Sequence, residues 1–168
     1  MKNILIIIVL CLAAVGLNAQ SGLFGLSYEL HLNDADSIMV QQGFIAQSVD
    51  GAMVKYYSDF NDLVDAVVLF VNPKNERLVG WFVKYDPKNG EENDKFVIDR
   101  MYEMHGEPAH FDPETQQLIW ILTPARSIHL MYVNEGSLSI LYRDSDHEKL
   151  FILNQPAQPK KEEATPSE

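Results

Sequence analysis

The chain has 168 residues, 46% of them hydrophobic, and its 24 acidic side chains against 13 Lys and Arg give a formal net charge of −11. Charge of that sign repels phosphate backbones and anionic lipid surfaces, which argues against nucleic-acid and membrane-surface partners and favours solubility, leaving cationic partners or divalent cations open. The length suits a single domain with a hydrophobic core of its own.

The first segment, residues 1–19, reads MKNILIIIVLCLAAVGLNA. Lys2 supplies a positive start, residues 4–15 form an uncharged apolar run, and Gly16, Asn18 and Ala19 end it. A run of that length fits the core of a secretory signal peptide and falls short of the ~20 residues of a spanning helix. The expectation is cleavage between Ala19 and Gln20. The rival readings are an uncleaved anchor and lipidation at Cys11, although Leu10 stands where a lipidation signal has a small residue. Cleavage would remove the only cysteine and one lysine, leaving 149 residues of net charge −12 that must be held by their core without disulfides. The product would be periplasmic or extracellular, with no membrane span.

Residues 23–32 alternate loosely and predict a strand. Asp34 is a good helix N-cap, followed by Ala35, Ile38, Met39 and Gln42 at helical spacing and by Gly43 as the stop. Strands over 44–49 and 52–57 flank Asp50-Gly51, a pair that favours a type I′ hairpin turn. Residues 65–71 (DAVVLFV) are apolar on both faces and predict a central strand, and residues 72–75 turn the chain into the next strand over 78–85. Residues 91–105 predict a helix that opens with acids, which suit the positive end of the helix dipole. Val97, Met101 and Met104 share one face and Phe96 extends it; Gly106 and Pro108 stop the helix. Three further strands are expected over 117–123, 127–133 and 137–143. Residues 154–168 hold three prolines and no large apolar side chain, and read as a disordered tail after a single domain over 20–153.

The fold class predicted is α+β, an antiparallel sheet of roughly six to eight strands with two helices on one face. The recurring order of strand, helix, glycine stop and further strands predicts an internal duplication, with repeats over 22–72 and 76–145. Two such half-sheets can join edge to edge and protect their edges.

Leu-Phe-Gly-Leu at residues 23–26, a short helix ending in Gly43-Phe44, a meander ending in an apolar strand, and His105-Gly106-Glu107-Pro108 at the end of the second helix together resemble a group of small secreted bacterial repeat domains. These are similar to the SmpA/OmlA type of outer-membrane assembly lipoprotein and to the β-lactamase inhibitor protein. The resemblance implies a binding or assembly role rather than catalysis. The signal segment with Gln directly after the cut also resembles those of Bacteroidetes-type bacteria.

Motifs of chemistry are few. No Gly-rich phosphate loop, dinucleotide fingerprint or Gly-x-Ser-x-Gly elbow occurs, so no cofactor is expected. Ser127 and His129 fall on one face of a predicted strand, but Asp99 or Asp112 could complete a triad only through the fold, and the favoured reading is a surface serine beside a hydrogen-bonded histidine. His105, Glu107, His110 and Asp112 lie within HGEPAHFD, and all four types can ligate zinc. The competing reading is a polar loop after a helix. The oxygen-rich segments 86–94 and 144–148 lack the spacing of a helix–loop–helix calcium site and read as solvated turns. Trp81, Tyr85, Trp120 and Tyr132 fall on strands, as a partner surface or as core. If Trp81 and Val83 face the helices, Phe82 and Lys84 face the other way. The expected function is a non-enzymatic binding, inhibitory or envelope-assembly module whose partner is a protein or another envelope component. The alternatives are a metal-assisted hydrolase using the 105–112 loop and a purely structural envelope protein.

Overall fold

Eight strands form one open antiparallel sheet in the order β1-β2-β3-β4-β8-β7-β6-β5. The computed structural model describes residues 21–133 and 136–152; the expected cleavage site at Ala19 and Gln20, Cys11 and the tail over 154–168 lie outside them. Helix α1 (Leu32–Gln41) is followed by β1 (Ile45–Asp50), β2 (Met53–Tyr57), β3 (Val64–Asn72) and β4 (Arg77–Tyr85). Helix α2 (Glu91–His105) is followed by β5 (His110–Asp112), β6 (Gln117–Ile121), β7 (Arg126–Val133) and β8 (Ser137–Asp144), and a short helix α3 (Glu148–Ile152) comes last. A helix with a four-stranded meander thus occurs twice, and the two meanders meet where β4 pairs with β8.

Both long helices end as their glycines require. At the end of α1 the Gly43 N–H donates to Val40 O and the Phe44 N–H to Met39 O, a paired closure that needs the left-handed conformation Gly43 adopts at φ 83°. Gly106 takes φ 73° after α2, and its carbonyl accepts the Trp120 indole N–H at 2.8 Å. The cap of helix α1 lies three residues before the expected Asp34: it is His31, its ring nitrogen accepting from the Asn33 N–H, and Asp34 stands in the first turn. The β1–β2 turn also differs from expectation. Asp50 pairs with Met53, so the turn residues are Gly51 and Ala52, and only Gly51 has positive φ; a type I′ turn would need both.

The expected strand over 23–32 is instead a 3₁₀ turn (Leu23–Gly25) and an irregular crossing of the helix-facing side of the sheet. Phe24, Gly25 and Glu29 all have positive φ, which breaks an extended ladder. Only the end of the segment bonds to β4, through Glu29 N–H to Leu78 O and Leu78 N–H to Leu30 O. The crossing fills the core instead: Leu26 and Tyr28 are buried, and Gly22 lies so close to the rings of Trp81 and Tyr142 that a Cβ there would sit 2.4–2.6 Å from them. Arg126 fastens it, with its guanidinium over the Tyr28 ring, paired to Glu29 at 3.0 Å and to the buried Asp144 at 3.1 Å.

The core lies between the helices and one face of the sheet, centred on Trp81 stacked on Tyr142 across the β4–β8 seam, ring centroids 4.2 Å apart. β3 is buried on both sides along most of its length, as its unbroken apolar run predicts. The other side of the sheet is covered at one place by α3, whose Phe151 ring lies 4.7 Å from Phe70 and against Gly80.

Candidate functional site on the open sheet face

Strand alternation decides which side chains reach the uncovered face. Trp81, Val83, Ile140, Tyr142, Ile128 and Leu130 point to the helices, so their neighbours in sequence point away. The ladders place Lys55, Val68, Phe82, Leu141, His129, Ile119 and His110 side by side in one row across seven strands, from β2 to β5. Val68, Phe82, Leu141, His129 and Ile119 are half-buried. A second row runs beside it through Ala66, Lys84, Ser139 and Met131, with Lys84 paired to Asp65 at 2.7 Å. The face is therefore an apolar strip edged by polar groups, and with Trp81 and Val83 toward the helices, Phe82 and Lys84 lie on it.

Within this face the Ser127 Oγ lies 2.9 Å from His129 Nε2, and His129 Nδ1 lies 2.9 Å from Gln117 Oε1. Ser127 and His129 are two apart on β7, so they share a side; Gln117 reaches His129 from β6. Neither Asp99 nor Asp112 occupies the third place. The charge of Arg143, cross-strand neighbour of Ser127, adds to burial in holding the His129 pKa below its ordinary value.

The aromatic residues singled out from sequence do not build this face. Trp81, Tyr85 and Trp120 are 0%, 5% and 2% exposed and belong to the helix-facing core, so they offer no surface to a partner. Tyr132 is exposed but on the helix side, where its hydroxyl donates to Asp94 at 2.9 Å. Phe96, expected to extend the buried face of α2, is instead exposed beside a groove of about 150 Å³ lined by Leu23, Phe24, Leu63 and Val97. Phe82, by contrast, does reach the open face.

The zinc candidates are separated by the fold. His105 Nε2 lies 3.1 Å from the buried Tyr142 hydroxyl, and burial lowers its pKa. His110 lies on β5, a strand absent from the expected loop, and faces the opposite side of the sheet. Asp112 is held by the Thr115 hydroxyl at 2.6 Å and the Glu114 N–H, which keep its carboxyl below the usual range, and Glu107 is exposed. Among the described residues no three His, Cys, Asp or Glu side chains converge as a metal site would need. A larger cavity, about 590 Å³, is an open polar cleft between Tyr57, Asn61, Asp62, Asp86 and Lys88.

The chain matches no family model, no curated protein and no solved structure. What the fold and the site define is an α+β protein with an open eight-stranded sheet, its two long helices on one face, and an apolar strip beside the short α3 on the other.

Proposed function

We propose that the chain is an exported α+β module that binds a protein or another envelope component through the open face of its sheet, in an inhibitory or assembly role. The observation that carries this reading is the row from Val68 through Phe82 and Leu141, past His129, to Ile119, half-buried apolar side chains in register across the middle of the sheet. Contiguous apolar surface of this kind marks interaction sites in soluble proteins. Export rests on residues 1–19; among the described residues no helix is long and apolar enough to cross a membrane. The twofold order of helix and four-stranded meander supports reading the chain as an internal duplication like that of the SmpA/OmlA and inhibitor-protein domains it resembles. The zinc hydrolase reading is not carried forward, because its four ligands do not converge.

The test pairs export with the face. The mature protein should begin at Gln20 by N-terminal sequencing. The wild-type chain should retain a partner from an envelope extract, and Phe82→Glu with Leu141→Glu should lose it at least tenfold with little change in Tm. Retention by that variant would place the binding surface elsewhere.

A further inference from the structure

The open face also carries a hydrogen-bonded array that a binding surface does not need. Gln117 Oε1 can only accept, so His129 Nδ1 must carry the ring hydrogen that joins them. Nε2 is then bare, and the contact at 2.9 Å is the Ser127 hydroxyl donating to it. A serine donating to a histidine whose far nitrogen is fixed by a third group is the arrangement of an activated nucleophile. Both residues are partly buried on this face. Arg143 lies directly across the β7–β8 ladder from Ser127, and its Nε is buried without a hydrogen-bond partner among the described residues. Its guanidinium is paired with Glu148, and its charge acts on His129. Next to His129 in the row stand Ile119 and Leu141, an apolar bed for an acyl chain.

We propose that Ser127 is an acyl-accepting nucleophile, with His129 as its general base and Gln117 as the positioning residue, acting on carboxylic esters of short apolar acids. Ser127 Oγ bonds to the ester carbonyl carbon as its proton passes to His129 Nε2. The acyl C–O bond then breaks, and the alcohol leaves with that proton. Water adds to the acyl-serine and gives a proton to Nε2; the bond from Ser127 Oγ to the acyl carbon breaks, Oγ takes the proton back, and the acid departs. Burial and Arg143 keep His129 neutral and able to act as base at pH 7. The charged groups around it on this face are Arg143 with its partner Glu148, Lys84 with Asp65, and His110 and Asp112 on β5. This inference goes beyond the binding role and does not depend on a partner.

The probes are a fluorophosphonate, located by peptide mass mapping, and p-nitrophenyl butyrate, both applied to the purified chain. The fluorophosphonate is expected on Ser127 and nowhere else at comparable rate, and this readout needs no variant. Ester hydrolysis should fall about 10²-fold or more in His129→Ala and to the buffer rate in Ser127→Ala. Gln117→Glu should move the midpoint of the rate–pH profile upward, because a carboxylate on Nδ1 favours the protonated ring, an effect that a merely structural glutamine would not produce. No label on Ser127, or hydrolysis unchanged by Ser127→Ala, overturns the proposal.

Discussion

Two glycines show how much a single absent side chain decides. A Cβ on Gly22 would sit 2.4 Å from Trp81 and 2.5 Å from Tyr142, and one on Gly80 would sit 2.3 Å from the Tyr142 carbonyl and 2.8 Å from Phe151. Neither collision can be relieved by a flexible tip, since the obstacles are packed rings and backbone. Gly22→Ala and Gly80→Ala are each expected to cost about 1–3 kcal/mol, read as a lowered midpoint in urea; an unchanged midpoint would show that the chain relaxes around them. Two partly buried histidines give a second residue-scale expectation. His105 and His129 are both held below their ordinary 6.5, by burial and, for His129, by Arg143. The unfolded chain therefore takes up protons at a higher pH than the folded chain. Their contribution is complete above about 6.5 and is lost as pH falls through the depressed folded values. Tm should hold steady from pH 8 to 7 and decline below 6.5, and His105→Gln with His129→Gln should flatten that decline. A wild-type Tm level down to pH 5 would count against this. Gln117 was invisible as a partner in the sequence, because its link to His129 exists only through the β6–β7 register.

At the scale of elements, periodicity and end signals were legible and irregular segments were not. The second helix runs over the 91–105 expected, since acids open it and a glycine closes it. The strand expected over 23–32 fails because its apolar residues serve a crossing with three positive φ values, and apolar content alone does not distinguish a strand from a buried loop. β5 and α3 were missed for the opposite reason: three and five residues are too few to show a period. Yet α3 has a definite role in closing one patch of the second face. Phe151→Ala should cost about 1–3 kcal/mol, less than a fully buried phenylalanine, and should raise binding of a hydrophobic dye as Phe70 and Gly80 are uncovered. A variant with wild-type stability and no added dye binding would mean that α3 does not hold this place in solution.

For the whole molecule, the seam between β4 and β8 matters most. Two meanders meet there through Trp81 to Lys84 and Ser139 to Tyr142, and the crossing segment 22–32 and both helices share the core above it. No half buries its apolar side without the other, so unfolding should be one transition, with tryptophan fluorescence and far-ultraviolet dichroism coinciding. Two separated transitions would show that the halves stand alone. The sequence by itself determined the α+β class, the alternation of strands, the helix stops and that Phe82 lies on the face opposite Trp81, because these follow from local periodicity and backbone chemistry. Only the tertiary structure decided that Trp81, Tyr85 and Trp120 are core, that the HGEPAHFD side chains part to opposite sides of the sheet, and that Gln117 meets His129. Those outcomes depend on which strands become neighbours and in what register, and long-range pairing leaves no mark in the spacing of residues along the chain.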